Sequence, residues 1–336
     1  FSQPYAVWAR DESLRAKSAS GGVFAALAHH IIAKGGYVVG AISEGLEVRH
    51  ILTSDASEIK LMQGSKYLQG DTSGTYRGVE RRLSEGKPVL FSGLPCQVGG
   101  LLSFLRGKNH ENLITADVIC SGVPSMLLLK RLNRECHGEI SSVNYTTKEQ
   151  GWLKSKKASF LNRCGQSVAM TNSMRDFVMT GFLSGLTNRY SCYNCRFACA
   201  ERKADLTLAD FWGLQEFPEQ HFLGVSLVVV HSPRVGALLS EADLEVHRTG
   251  WKKFIRHNPR MICGRQIFYQ IHPARRWMPK ILKHASFHLL PKIYGGSISA
   301  RELPFLPYKV MRYLIYRFAS YYISRQVRRF EEGVLE

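Results

Sequence analysis

The segment Arg189-Tyr-Ser-Cys192-Tyr-Asn-Cys195-Arg-Phe-Ala-Cys199 carries the sharpest chemical signal in the chain. Two thiolates at C-x-x-C spacing can chelate one metal centre from a single turn, which is why zinc sites and iron–sulfur clusters both use it. The pair supplies only half a tetrahedral set. Cys199 is a third local candidate, and a further ligand must come from elsewhere. A redox dithiol is the other chemistry open to such a pair. Cys96, in Gly93-Leu-Pro-Cys96-Gln97, and Cys120, in Ile119-Cys120-Ser-Gly-Val-Pro124, each follow a short apolar run. Cys136, Cys164 and Cys263 show no partner spacing and read as ordinary thiols.

The apolar pattern says what positions these residues. Val23, Phe24, Leu27, Ala28, Ile31 and Ile32 recur at helical spacing after Ser20-Gly21-Gly22. Tyr37 to Ile42 and Leu46 to Leu52 read as strands, Tyr76 to Leu83 as a helix, and Pro88 to Ser92 as a short buried strand. Gln97 to Leu105, Leu113 to Ile119 and Ser125 to Cys136 repeat helix, strand, helix. This rhythm predicts an α/β fold, mixed α+β in its second half, with an open sheet flanked by helices. Cys96 and Cys120 then fall just past strand C-terminal ends, the edge where open α/β sheets bind ligands. From about Glu139 the pieces shorten: Ile140 to Thr147, Ala158 to Leu161, Asp205 to Leu208 and Gly224 to His231 read as strands, with a helix near Met174 to Leu183. Beyond Pro259 helices dominate. Three regions follow: 1–138, 139–258 with the Cys-x-x-Cys loop, and a basic helical tail over 259–336.

In sequence order the chain carries Ser18-Ala-Ser-Gly-Gly22, Gly64-Ser-Lys-Tyr67, Val89-Leu-Phe-Ser-Gly-Leu-Pro-Cys96-Gln97 and Asp117-Val-Ile-Cys120-Ser-Gly-Val-Pro-Ser125. Lys148-Glu-Gln-Gly-Trp152, Ser191-Cys-Tyr-Asn-Cys195 and Arg202-Lys-Ala-Asp205-Leu-Thr-Leu-Ala-Asp210-Phe-Trp-Gly213 follow. This ordered set resembles the beta subunits of coenzyme F-420 hydrogenases and dehydrogenases, whose relatives include proteins of polysaccharide gene clusters. The resemblance implies FAD and a 4Fe-4S cluster, with Cys96, Cys120, Cys192 and Cys195 as cluster ligands and Cys199 as the alternate. It also implies a ferredoxin-like electron donor, either separate or as an upstream domain, and an organic substrate, such as a sugar or lipid-linked intermediate. F-420 is compatible but not required.

With the resemblance in view, Ser20, Gly21 and Gly22 at a helix start offer backbone N–H groups and a helix dipole to a pyrophosphate. The same residues alone describe a tight turn with a serine cap. Ser65, Lys66 and Tyr67 add a cation and a stacking ring. Asp205 and Asp210 orient the cysteine loop or the flavin, or cap a turn. Two positions depart from the family pattern. Ser121 stands where a histidine, a candidate proton donor, is usual, and Ala209 where glycine is usual.

The net charge is +18, and from Trp251 to Glu336 there are 17 Lys and Arg against four Glu and no Asp. Such asymmetry calls for an anionic partner. A zinc-stabilised module binding nucleic acid is the alternative reading, but no recognised nucleic-acid motif accompanies the charge. Eight cysteines without a visible export signal are expected to stay reduced, which suits a cytoplasmic protein. Tyr308 to Phe330 sets Met311, Leu314, Ile315, Phe318, Tyr322 and Ile323 on one side, with Lys and Arg interspersed. A helix of this kind either packs on its own protein or lies in the inner membrane interface. On the membrane reading, deleting Tyr308 to Glu336 removes co-sedimentation with anionic liposomes. Unchanged co-sedimentation assigns the helix to the protein's own packing.

Overall fold

A computed structural model describes residues 2–108, 110–145, 148–154, 158–168, 178–179, 181–182, 185–263, 280, 283, 321–322 and 324–333. The expected helix over 174–183 lies only partly within these residues, and the tail over 259–336 mostly outside them, although 324–333 are helical. The strands are β1 (Gln3–Ala9), β2 (Tyr37–Glu44), β3 (Glu47–Thr53), β4 (Gly70–Asp71), β5 (Val89–Ser92), β6 (Leu113–Val118), β7 (Ser142–Asn144), β8 (Ser159–Leu161), β9 (Leu206–Asp210), β10 (Ser226–Val230) and β11 (Leu244–Arg248). The helices are α1 (Glu12–Lys17), α2 (Val23–Ala33), α3 (Ile59–Met62), α4 (Thr75–Ser84), α5 (Pro95–Phe104), α6 (Met126–Glu135) and α7 (Gly236–Glu241).

Nine strands form one mixed sheet in the order β11-β1-β10-β9-β6-β5-β2-β3-β4, and β7 pairs with β8 apart from it. The central strands β2, β5, β6 and β9 run parallel, so their carboxyl ends share one edge. Antiparallel β10, β1 and β11 extend the sheet on one side and antiparallel β3 on the other. The sheet therefore draws strands from both sides of residue 138. The sequence pattern does not show β1, β11, α1, α3 or α7. Their apolar runs are too short or too close to a chain turn to carry a period, and β1 and β11 exist through pairing with distant segments.

Continuous apolar strands follow from burial on both faces. In β5, Val89 and Phe91 join a core with Val79 of α4 and Leu101 of α5, whereas Leu90 faces the core that holds Leu27 and Ile31 of α2. In β10, Val228 and Val230 likewise face α2 while Leu227 and Val229 join Phe254 and Met261. Alternation with period 2 decides which layer each residue meets. Truncating a fully buried residue such as Leu27 to alanine costs about 2–5 kcal/mol.

Across this sheet runs a polar chain. Asp117 pairs with Arg202 at 3.3 Å, both side chains 1% exposed. Thr207 Oγ1 donates to Asp117 Oδ1 at 2.5 Å and lies 2.9 Å from His231 Nε2. Because the threonine proton goes to the carboxylate, Nε2 is the donor in that second contact. Desolvation, aided by the charge of Arg202, lowers His231 to about 4. Desolvation raises Asp117 to about 6 against the opposing pull of Arg202 and Thr207.

These shifts act oppositely. As pH falls from about 6.5 towards 4, the unfolded chain takes a proton at His231 that the folded protein refuses, so stability falls. Below about 6, folded Asp117 takes a proton that the unfolded chain releases, which offsets part of that loss. His231→Gln removes the first effect, keeps the second and leaves an amide able to donate to Thr207. Its Tm, followed by circular dichroism, is expected to fall less than the wild type's between pH 6.5 and 4.

Candidate functional site

At the carboxyl edge of the parallel strands lies a cavity of about 580 Å³. Ser20 and Gly22 line it from the loop before α2, Ser65, Lys66 and Tyr67 from the loop after α3, and Gln97 from the start of α5. Cys120 follows β6 into it, and Asp210 closes β9 beside it. Of the residues assigned from sequence to cofactor binding, Ser20, Gly22, Ser65, Lys66, Tyr67 and Asp210 thus meet in one place.

Gly21 and Asp205 do not line it. A β-carbon on Gly21 would stand 2.5 Å from the carbonyl oxygen of Val7, and its N–H is given to Ser226 Oγ at 2.9 Å. Its role is to let the loop lie against the ends of β1 and β10. Asp205 precedes β9, at the opposite edge from Asp210. Its carboxylate accepts from Thr115 N at 2.8 Å and from Arg234 Nε and Nη2 at 2.8 Å each. Burial alone raises its pKa, but Arg234 and Thr115 outweigh burial and hold it below the ordinary value.

The lysines near this edge are unusual cations. Lys66 Nζ donates to the carbonyls of Leu61 at 3.0 Å and Gln63 at 2.8 Å, at the end of α3, and desolvation lowers it to about 8. Lys148, the first residue of the Lys148-to-Trp152 motif, donates to three carbonyls, those of Arg15 (2.8 Å), Ser20 (2.6 Å) and Leu223 (2.5 Å). Desolvation, with the nearby charge of Arg15, lowers it to about 7, and Asp210 opposes the shift. Trp152 ends the same motif, donates to Asp210 Oδ1 at 3.3 Å and stacks on Trp212 with centroids 4.8 Å apart. One motif therefore fixes both the Ser20 loop and Asp210. Tyr67 packs on Tyr145 and Phe182, and burial, then Asp210, raises its hydroxyl to about 12.

The cysteines gather from three segments. Burial first, then the sulfurs of Cys195 and Cys192, raises Cys96 at the start of α5. Burial raises Cys120 to about 12, with Cys192 and Cys96 adding to it. Cys96 is thus within electrostatic reach of Cys120, Cys192 and Cys195, and Cys120 of Cys192. Cys199 Sγ instead contacts the carbonyl of Glu201 at 3.2 Å. Cys136 is buried in the core beside α6, and Cys164 is exposed. Among the described residues, no three His, Cys, Asp or Glu side chains form a group able to hold a single metal ion.

Backbone bonds explain the convergence. Ser125 N donates to Thr187 O at 2.7 Å and Arg189 N to Val123 O at 2.8 Å, which joins the loop after Cys120 to the approach to Cys192. Asn188 Nδ2 donates to Ser121 O at 3.2 Å within the same seam. Gly122, at φ 120, turns its N–H onto Cys120 Sγ at 3.4 Å. The ring of Phe197 lies against Gly99 of α5 and seats the second cysteine loop beside Cys96. Arg260 then spans the site, donating to the carbonyls of Cys120 (3.2 Å), Cys192 (3.5 Å) and Cys263 (3.0 Å). Sequence reasoning counts Arg260 only as one of many basic residues near the end, and Cys263 as a stray thiol. Both line the cavity.

In the comparison with family models, residues 86–248 match the one that describes the C terminus of the beta subunit in Coenzyme F420 hydrogenase/dehydrogenase. Among solved structures, the chain is similar to one in the xenon-derivatised F420-reducing [NiFe] hydrogenase complex from Methanosarcina barkeri. That likeness is 14% identical with a TM-score of 0.49, and covers 73% of this chain and 81% of that one. No curated protein matches. The matched segment holds Cys96, Cys120, Cys192 and Cys195 together with Lys148, Asp205 and Asp210. Residues 86–248 are thus similar to the C terminus of coenzyme F420 hydrogenase/dehydrogenase beta subunits.

Proposed function

We propose that the protein is an iron–sulfur flavoprotein oxidoreductase. In this reading electrons pass from a ferredoxin-like donor through a 4Fe-4S cluster on Cys96, Cys120, Cys192 and Cys195 to FAD in the cavity, and then to an organic substrate. The observation that carries the reading is the double position of Cys120, which lines the cavity and also stands within electrostatic reach of Cys96 and Cys192.

The donor set, four cysteine sulfurs from three segments, is that of a 4Fe-4S cluster, and a tetrahedral zinc site uses the same ligands. When bound, such a cluster passes electrons singly, and a flavin can accept them singly and hand them on as a hydride.

The chain's own residues set the conditions. Gly122 N–H and Arg260 stabilise negative charge at Cys120 and orient the carbonyls beside it. Lys66 keeps a desolvated ammonium in the cavity wall, ready for a phosphate that would restore its charge. Tyr67 and Trp212 give the cavity aromatic surface, and Asp210 is held by Trp152. F-420 is an alternative hydride partner for the same cavity. A sugar or lipid-linked intermediate of polysaccharide biosynthesis is the substrate class we favour. The cytoplasm is the location we favour, where cysteines stay reduced. No helix among the described residues is long and apolar enough to cross a membrane, and the basic C-terminal segment is the candidate for peripheral contact.

Anaerobic purification with metal, sulfide and absorption analysis tests the proposal. About four iron and four sulfide per chain with a flavin absorbance are expected. Stoichiometric zinc with neither iron nor flavin overturns it. Cys192→Ser is expected to abolish cluster incorporation while Cys136→Ser leaves it intact, and equal loss in both refutes the ligand set. Arg260→Met is expected to weaken cluster retention by roughly 10–100-fold, the usual effect of removing a group that orients ligands. Iron release to a chelator measures it.

A further inference from the structure

The three segments that carry the cysteines are short of acidic residues. Leu94 to Lys108, around Cys96, holds Arg106 and Lys108 and no Asp or Glu. Arg189 to Lys203, around Cys192 and Cys195, has Arg189, Arg196, Arg202 and Lys203 against Glu201. The loop from Cys120 to Ser125 is uncharged. Of the four cysteines Cys96 is exposed and the other three are partly covered, so the group comes to the surface at the start of α5. The ring of Phe197 lies against Gly99 of α5 and brings the turn that holds Arg196 to the same place. Arg189 and Arg196 are both exposed and flank the Cys-x-x-Cys pair, and among the described residues neither forms an ion pair. Arg189 donates instead to the side-chain carbonyl of Gln69. Elsewhere exposed cations such as Arg10, Lys34 and Arg49 are matched by Glu245, Glu241 and Glu44. Between the two arginines Tyr190 is 81% exposed, and its ring meets that of buried Tyr193 edge-on with centroids 6.2 Å apart. A tyrosine seated on a buried neighbour and flanked by arginines has the composition of a binding hot spot.

We propose that this face, centred on Tyr190 with Arg189 and Arg196 beside it, docks a small acidic iron–sulfur carrier protein against the cysteine group. The assignment rests on the iron–sulfur reading above and deepens it by naming where the electron donor binds and what charge it carries. Two arginines without carboxylate partners set the sign of the partner, because an acidic surface supplies the countercharge that the chain does not. Exposure of Cys96 sets the place, because a carrier protein must approach the acceptor where the protein covers it least. In each encounter the carrier is oxidised by one electron and the cysteine-held centre is reduced by one, with no bond or proton changing hands. The cations of the cavity wall are poorer contacts, since Lys66 and Lys148 are bound to carbonyls inside the protein. Transient electron-transfer contacts are small, below about 1,200 Å² of total buried surface, and charge steers them. One tyrosine and two arginines suit a contact of that size.

The experiment is an anaerobic calorimetric titration of the full-length, iron-loaded protein with an oxidised bacterial two-cluster ferredoxin. It is run at about 10 mM and about 100 mM salt, between which the screening length shortens from about 30 to about 10 Å. Arg196→Glu is expected to raise the Kd about tenfold at the lower salt and about threefold at the higher. Arg189→Glu, which is not adjacent to a cysteine, should behave alike. Tyr190→Ala should raise the Kd about fivefold at both salts, because the loss of an aromatic anchor is not screened. Lys87→Glu makes the same charge change on an exposed residue ahead of β5, at the opposite edge of the sheet, and should stay within about twofold of wild type. Iron and sulfide content, and light-driven reduction by a deazaflavin, which needs no docking, should match wild type in all four variants. An unchanged Kd in both arginine variants or in Tyr190→Ala overturns the docking surface. So does a Kd in Lys87→Glu as weak as in Arg196→Glu, since the attraction is then that of net charge alone. Iron-loaded, photoreducible wild-type protein that does not bind the ferredoxin at the lower salt overturns the surface and leaves the iron–sulfur reading standing. Protein that holds zinc with neither iron nor flavin overturns that reading, and the docking surface with it.

Discussion

Sulfur crowded at the carboxyl ends of β5 and β6 is the constraint around which this structure is arranged. Desolvation is the larger influence at both Cys96 and Cys120, and the neighbouring sulfurs add to it, both raising the thiol pKa. Thiolates at such a place need a cationic partner. Arg260 bears on Cys120 in this sense, but burial outweighs it. The convergence is instead imposed by neutral backbone bonds, with 121–125 zipped to 187–189, and by one cation, Arg260, that grips carbonyls rather than sulfurs.

The same logic governs the cavity next door. Two lysines and a buried arginine surround the Ser20 loop, and each is held chiefly by carbonyl oxygens. Arg15, 1% exposed, donates to the carbonyls of Gly224 and Gln220 and to the Gln220 side chain. Desolvation pulls its guanidinium down to about 10, against the pull of Glu12. Carbonyls satisfy N–H donors without supplying a countercharge, and desolvation then favours the neutral form at Lys66 and Lys148. That choice separates this edge from the opposite edge of the sheet, where Asp205 and Arg234 neutralise one another. It also explains why Asp205 and Asp210, five residues apart in one motif, have different surroundings. β9 carries them to opposite ends of a strand.

Much of this was legible in the sequence because it depends on local periodicity. The runs around β2, β3, β5, β6, β9 and β10 announce themselves by apolar content, and parallel β5 and β6 then place Cys96 and Cys120 side by side. What sequence could not supply depends on partners far along the chain. Gly21 reads as a phosphate-binding glycine until β10 is seen to occupy its N–H. Arg260 reads as tail charge until its guanidinium is found between two cysteine loops. His50 is one polar position in an alternating strand. Only the seat between Phe91 and Gly70 distinguishes it.

Ser121, where a histidine is usual, does not leave the cavity without imidazole. His50 reaches it from β3, and His257 lines it from the 3-10 turn Ile255–His257. Neither lies in the loop that follows Cys120, so a ligand would meet these rings from directions that a histidine at 121 could not offer. His50 is buried and neutral, whereas His257 is exposed. Ser121 keeps a hydroxyl able to bond, but one that does not titrate near neutral pH. The residue next to the cysteine thus contributes only neutral hydrogen bonding, and the imidazoles stand elsewhere on the cavity wall. Any specificity peculiar to this protein is therefore to be sought on β3 and in 255–260 rather than at position 121.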